Sequence, residues 1–437
     1  MATEAEPEYQ ITKRQLRRVA FSSLIGTAME WYDYFLYGLF AALVFNELFF
    51  PSFDPVAGTM LAFLSFGVGF IARPIGAVLF GHLGDRIGRK KTLIITILVI
   101  GMSTGLIGLL PTYAVIGAAA PILLATLRFI QGLSLGGEWG GAVLMAVEHA
   151  PVKQRSFYGA MPQYGSPVGT VTSSGVIALV TLLPDDQFMA WGWRLPFLVS
   201  FILLGIALYL RLRVEETPVF RQASKTDTAK RIPLVELFRH SGTRVLIVIV
   251  MSLFASGGFF LMTVYAVNYG ENVLNIAAST LLLATMIGAV LEAAGIYIGG
   301  NLADRFHPWK VVAWSGVASF ALTFVVVWLL ASGDPVLAVC GIALGIGMLG
   351  VPYGPLGTLL SQLFGTRYRY SGVAVSYNIS GMVGGFVPSI ALALAASLNG
   401  SVWALGVLLG IIMLMAAVGA FFAGAALNRR PELAAGE

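Results

Sequence analysis

The chain has 437 residues, a length that alone would allow two or three soluble domains. Its composition excludes them, because 57% of residues are hydrophobic and only 11% are charged, too few to cover a soluble surface of this size. The net charge of +5 does not point to nucleic acid, since the basic residues lie in loops between long apolar runs. One cysteine, Cys340, excludes internal disulfides and a multi-cysteine metal site, and the four histidines fall in four separate loops. No cleavable signal is visible: the first apolar stretch is too long for one and carries Glu30 and Asp33.

Twelve apolar segments follow in chain order, at roughly 19–45, 57–80, 92–110, 118–146, 157–182, 193–212, 244–269, 276–299, 310–331, 335–362, 371–396 and 402–427. Leu93–Leu110, Phe157–Leu183 and Val402–Leu427 contain no charge at all. Runs of about 18 or more apolar residues are long enough to cross a bilayer as helices. The sequence therefore predicts an all-α polytopic inner-membrane protein of twelve transmembrane helices with both termini on one side. Lys13, Arg14, Arg17 and Arg18 precede the first span; Arg86, Arg89, Lys90 and Lys91 follow the second. Lys153 and Arg155, the basic stretch Arg211–Arg244, Arg305, Lys310, Arg367, Arg369, Arg429 and Arg430 fall on the same face. The opposite face has Glu47, Asp54, Asp185, Asp186, Glu271 and Asp334, with only Arg194. This asymmetry predicts cytoplasmic termini.

The longest polar stretch, 213–243, reads as a cytoplasmic linker between six-helix halves at 19–212 and 244–427, with tails at 1–18 and 428–437. A repeat agrees with the division. Gly81-His82-Leu83-Gly84-Asp85-Arg86 follows span two, and Gly300-Asn301-Leu302-Ala303-Asp304-Arg305 follows span eight. Two parallel six-helix repeats are a transporter architecture.

The full stretch Gly81 to Lys91, with Asp85, Arg86, Gly88 and Arg89, resembles the loop 2–3 signature of the major facilitator superfamily. Three further stretches narrow the resemblance to its metabolite:proton symporter family: Gly26–Gly38 with Glu30-Trp31-Tyr32-Asp33-Tyr34, Arg128–Gly141 with Gln131 and Glu138, and Trp191–Phe197. The resemblance covers nearly the whole chain and implies the major facilitator fold. Members of that family carry shikimate, 2-oxoglutarate, citrate, or proline and betaine, each with a proton. The resemblance also implies a cytoplasmic gate, in which Asp85 meets the start of helix eleven and acts with Arg89 and Glu148. Arg86, Asp304 and Arg305 belong to the same two loops. The osmosensing members end in a coiled coil, for which this chain shows no heptads.

Ionisable groups within a span are costly and mark function by default. Six stand out: Glu30, Asp33, Arg73, Arg128, Glu138 and Glu292. At about 1.5 Å per residue, Glu30, Asp33 and Arg128 lie near mid-depth, whereas Arg73 and Glu138 fall in the cytoplasmic third. Glu30, Asp33 and Tyr37 share one face of helix one, and Arg128, Gln131 and Glu138 one face of helix four. Either Asp33 or Glu30 is expected to pair with Arg128 and to couple a proton to an anionic substrate, since a carboxylate that loses its arginine to substrate binds a proton more readily. A static ion pair bracing the two helices is the plainer account. Arg73 and Glu138 are expected to pair at the inner gate. Glu292 has no evident partner, and a carboxylate snorkelling to the inner surface accounts for it equally well.

Tyr34, Tyr37, Gln131, Gln163, Tyr164, Tyr265, Tyr377 and Asn378 are candidate substrate contacts beside Arg128, although each alone is more commonly packing. Gly345, Gly347, Gly350, Pro352 and Pro355 make helix ten bendable or closely packed. Gly132-Leu133-Ser134-Leu135-Gly136 matches a hydrolase elbow, and Gly345–Gly350 a dinucleotide loop, but neither has the strand that the chemistry needs. Pro162, Ser166, Thr170 and Val171 stand where exporters of the superfamily have glycines around the proline.

The expected protein is thus a proton-coupled symporter importing a small organic acid such as shikimate, a dicarboxylate or an aromatic acid. The alternatives are a symporter of zwitterionic osmolytes and a proton-antiport exporter. It is expected to act as a monomer among membrane lipids, without cofactor, metal or nucleic acid. A membrane enzyme would need a nucleophile–base pair or metal ligands, and the sequence offers neither.

Overall fold

Within hydrocarbon no water is at hand for backbone N–H and C=O groups, and a helix satisfies them within its own segment. The computed structural model describes residues 13–87, 89–148, 150–212, 234–365 and 369–429, and every element in them is helical. In chain order α1 is Lys13–Leu43, α2 Pro55–Ile87, α3 Arg89–Ile107, α4 Ala119–Leu144, α5 Arg155–Val180 and α6 Arg194–Leu212. The second set is α7 Ser241–Asn272, α8 Ala278–Arg305, α9 Pro308–Ala331, α10 Pro335–Leu363, α11 Ser371–Ser397 and α12 Trp403–Arg429.

All twelve expected segments are helical, but among the described residues only eight helices are long and apolar enough to cross a membrane on those grounds alone. Joining α5 to the segment Asp185–Gly192, bent from it by 119°, makes a ninth. The other three have physical reasons for falling short. α1 is 31 residues long, but Glu30, Asp33, Tyr32, Tyr34 and Tyr37 dilute its apolar run. The apolar parts of α3 and α6, Ile94–Ile107 and Arg194–Tyr209, are short.

Local chemistry sets several helix ends and breaks. Asp334 caps α10 by accepting from Val336 N and Leu337 N at 2.9 and 3.0 Å, with Pro335 in the first turn where no N–H is needed. α4 is interrupted at Gly136–Gly137, where a continuous span was expected, and resumes at Glu138. α7 contains two π-helical turns, Phe254–Gly258 and Leu261–Tyr265. The expected linker 213–243 is helical from Leu234, with a kink at Ser241, while residues 213–233 lie outside the described residues. Of the expected tails 1–18 and 428–437, residues 13–18 belong to α1 and 428–429 to α12, and the rest lie outside the described residues.

Small residues let the helices approach. A Cβ on Gly76 of α2 would run into the Leu133 carbonyl of α4, and one on Gly132 into the Gly69 carbonyl. The same close seam joins α8 to α10, where Gly350 lies on the Glu292 backbone and Gly354 on the Ile296 carbonyl. Extensive packing also pairs α1 with α5, α3 with α6, α9 with α10 and α12, and α7 with α11, while α5–α8 and α2–α11 cross between the two sets.

Candidate functional site

Two buried ion pairs share the middle of the bundle. Arg128 NH1 meets Asp33 Oδ2 at 2.9 Å, with both side chains at 2% exposure or less. Arg73 NH2 meets Glu30 Oε1 at 3.1 Å, with 5% and 4% exposed. Asp33 is therefore the partner of Arg128, and Glu30 the partner of Arg73, which the sequence had matched with Glu138. One turn of α1 separates the carboxylates, which send their partners to α4 and α2.

The Asp33 carboxylate is fully occupied. Its Oδ1 accepts from Gln131 Nε2 at 2.7 Å and from Thr104 Oγ1 at 2.6 Å. Gln131 also donates to Thr104 Oγ1 at 2.7 Å and accepts from Arg128 NH1 at 3.2 Å. Three helices, α1, α3 and α4, thus close one network. Thr104 was not among the residues expected here. In contrast, Arg128 Nε and NH2 have no hydrogen-bond partner although buried. The guanidinium instead lies over Tyr37, Phe66 and Tyr34 at 4.5, 5.0 and 5.2 Å from the ring centroids. The Tyr37 and Ser65 hydroxyls are hydrogen-bonded at 2.7 Å, and the Tyr34 hydroxyl makes no well-formed hydrogen bond. A cation held over aromatic faces gains about 2 kcal/mol when desolvated. Each unmade bond to a buried charged group costs at least about 1–3 kcal/mol. The guanidinium edge formed by Nε and NH2 thus faces no protein acceptor among the described residues.

The second pair spans the two sets of helices. Arg73 Nε donates to Asn378 Oδ1 of α11 at 2.8 Å, and Asn378 Nδ2 donates to the Gly136 carbonyl at 2.7 Å, at the break in α4. Arg73 also lies over Tyr34, at 5.4 Å, so this ring touches both guanidinium groups. Glu30 Oε2 makes no well-formed hydrogen bond. Next to this pair, Trp139 of α4 stacks on Tyr377 of α11 at 3.6 Å and 9°, and donates to Gln163 Oε1 at 3.3 Å. Glu138 is buried at the same break.

Other expected residues stand apart. Among the described residues neither Tyr164 nor Tyr265 makes a hydrogen bond or ring contact with the charged cluster; the ring partner of Tyr265 is Tyr269. Of the expected gate residues, Asp304 at the end of α8 accepts from Ser156 N and Phe157 N at 2.8 and 3.0 Å, so it grips the start of α5. A carboxylate at a helix N-terminus is favoured by the exposed N–H groups there. Arg305 is exposed. The side chains of Asp85, Arg86, Arg89 and Glu148 lie outside the described residues. Among the described residues no group of His, Cys, Asp and Glu could hold a metal ion.

The family model of the Major Facilitator Superfamily matches residues 19–388. The inner membrane metabolite transport protein YhjE of Escherichia coli (strain K12) is 42% identical over 395 residues, 88% of this chain and 89% of its own. The shikimate transporter of the same strain is 38% identical over 403 residues, 90% and 91% of the two chains. Its proline/betaine transporter is 34% identical over 396 residues, 88% and 78%. Among solved structures, a D-xylose-proton symporter superposes with a TM-score of 0.73 at 18% identity, covering 93% of this chain and 97% of that one.

Proposed function

We propose that this chain, which belongs to the Major Facilitator Superfamily and is a multi-pass membrane transporter of a small metabolite rather than an enzyme, imports a small organic acid together with a proton. The observation that carries the reading is the asymmetry of the Asp33–Arg128 pair: the carboxylate is saturated, while two guanidinium nitrogens are open.

A substrate carboxylate enters on Arg128 Nε and NH2, the edge that Asp33 leaves unused. Two anions then compete for one cation in a low-dielectric site, which favours one of them taking a proton. Asp33 is fully buried and loses its counter-charge as the substrate draws Arg128 away, so it receives the proton. Protonation loosens Arg128 from α1, and substrate and proton are then released together. Glu30–Arg73–Asn378 joins the halves 19–212 and 244–427, so that their relative rocking answers to charge at the centre. Asp304 on α5, Trp139 against Tyr377, and the loop of Asp85 and Arg89 form the gate at the end bearing the termini. We place that end in the cytoplasm of a bacterium, with the chain in the inner membrane, on the loop charges.

A second reading has support of its own. Glu30 Oε2 makes no well-formed hydrogen bond, one turn of α1 from Asp33, and a relative is named a proline/betaine transporter. A zwitterion would place its cationic end toward Glu30 and its carboxylate on Arg128.

The test is uptake into proteoliposomes under an inward proton gradient, in wild type and Asp33→Asn. The expected result is that gradient-driven accumulation of an acid falls about a hundredfold in Asp33→Asn, while exchange of labelled for unlabelled substrate persists. Accumulation unchanged by the substitution, and indifferent to the gradient, would make the protein a facilitator and Asp33 a brace.

A further inference from the structure

The cycle uses Glu30 and Asp33 and leaves a third intramembrane carboxylate without a task. Glu292 lies halfway along α8, fully buried, and neither of its oxygens accepts a well-formed hydrogen bond. The described ion pairs belong to Glu30 and Asp33, so no described basic side chain balances it. Snorkelling to the membrane surface does not fit complete burial. Joining helices does not fit either, because α8 and α10 meet here through backbone, with Gly350 against the Glu292 main chain.

Glu292 has neighbours in the same condition. Ser166 of α5 stands beside it and interacts with its carboxylate, without a well-formed hydrogen bond. Gln163, three residues earlier on α5, gives its oxygen to Trp139 and keeps a free Nε2. Tyr353, one turn beyond Gly350 on α10, has its hydroxyl beside that of Tyr377 without a well-formed hydrogen bond, within electrostatic reach of both Glu292 and Glu30. Its ring lies 6.4 Å from that of Trp31, whose indole N–H is also unpartnered. Five buried side chains from α1, α5, α8 and α10 therefore each carry a polar atom without a well-formed hydrogen bond, in a structure where such groups are ordinarily paired.

The five are a mixed set. Trp31 and Gln163 offer donors, Glu292 offers acceptors, and Ser166 and Tyr353 can do both. Alcohol groups donate and accept in the same way. A quaternary ammonium accepts no hydrogen bond and would leave the donors of Trp31, Gln163, Ser166 and Tyr353 unsatisfied. We propose that Glu292, with Ser166, Gln163, Tyr353 and Trp31, is a subsite that binds the hydroxyl groups of a hydroxylated organic acid whose carboxylate sits on Arg128. This rests on the organic-acid reading above and narrows its substrate class.

The experiment uses the full-length protein in liposomes under the same proton gradient. It measures uptake of shikimate, of cyclohex-1-ene-1-carboxylate (the same ring acid without its hydroxyls) and of glycine betaine. Wild type is expected to prefer shikimate to the bare ring acid by about tenfold or more, because a site built for hydroxyls rejects the analogue that lacks them. Glu292→Leu is expected to lower that ratio about tenfold, and Glu292→Gln, which still donates and accepts, to retain part of it. If Glu292→Leu does not fold, Ser166→Ala and Tyr353→Phe carry the same ratio test. Equal uptake of the two acids by wild type overturns the subsite and leaves the organic-acid reading standing. So does a ratio unchanged in Glu292→Leu, or a proportional loss of both acids with a lowered melting temperature. Uptake of betaine alone, or of neither acid, overturns both.

Discussion

At the scale of single residues, the centre is governed by which partner each buried charge has found. Asp33 holds Arg128, Gln131 and Thr104 at once, and removing one donor should be felt. Thr104→Val keeps the side-chain shape and deletes the 2.6 Å bond to Asp33. A hydrogen bond to a charged group is worth about 1.5–3 kcal/mol. Uptake at low substrate concentration should therefore fall about tenfold, and uptake equal to wild type would remove Thr104 from the network. That Arg128 meets a carboxylate of α1 was legible because charges in a span must find each other, and only Glu30 and Asp33 lay at the right depth; which of the two it meets was not. The partner of Glu30 was not legible. Depth read from sequence is uncertain by about a helical turn, about 5.4 Å, and does not report how far each helix is rotated. Thr104 was hidden by an ordinary alternative: it also reaches the Ile100 carbonyl one turn back, as threonines in apolar helices commonly do.

At the scale of elements, the ion pairs depend on how closely α2 and α4 cross. Gly76 and Gly132 sit where a side chain would strike the opposing backbone, and backbone cannot move aside as a flexible side chain can. Gly76→Val and Gly132→Val should each cost at least about 1–3 kcal/mol by overpacking and lower the melting temperature of the purified protein. Gly205→Val on α6 is the control, since a Cβ there meets nothing within 4 Å. Equal melting temperatures for all three would mean that the α2–α4 seam is looser than described. The positions of the helices were legible from apolar run length. The two π turns of α7 and the break of α4 were not, because a widened turn is imposed by packing from neighbouring helices and has no residue signature of its own. Gly136–Gly137 and Gly257–Gly258 are the nearest thing to a signal, and in a chain with 51 glycines they do not stand out.

At the scale of the molecule, α8 of one set grips α5 of the other through Asp304, and the repeat had marked that aspartate before any geometry was known. Two charge-assisted bonds of this kind bias the closed arrangement by several kcal/mol at most. Asp304→Ala should let the end bearing the termini part more often. With Cys340 replaced by serine and Ala374→Cys buried opposite Gly140, labelling by a water-soluble maleimide should quicken about tenfold in Asp304→Ala. Unchanged labelling would mean that the grip does not restrain opening. The seam between α4 and α11, where Ala374 faces Gly140, also holds the stacked pair of Trp139 and Tyr377. Trp314, Trp328 and Trp403 are more than half exposed on the outside of the bundle and would keep their lipid surroundings as the seam parts, whereas Trp139 would exchange an aromatic neighbour for water. Indole emission reddens in a wetter environment, so the chain carries a built-in optical reporter of its own cycle, readable without any attached dye.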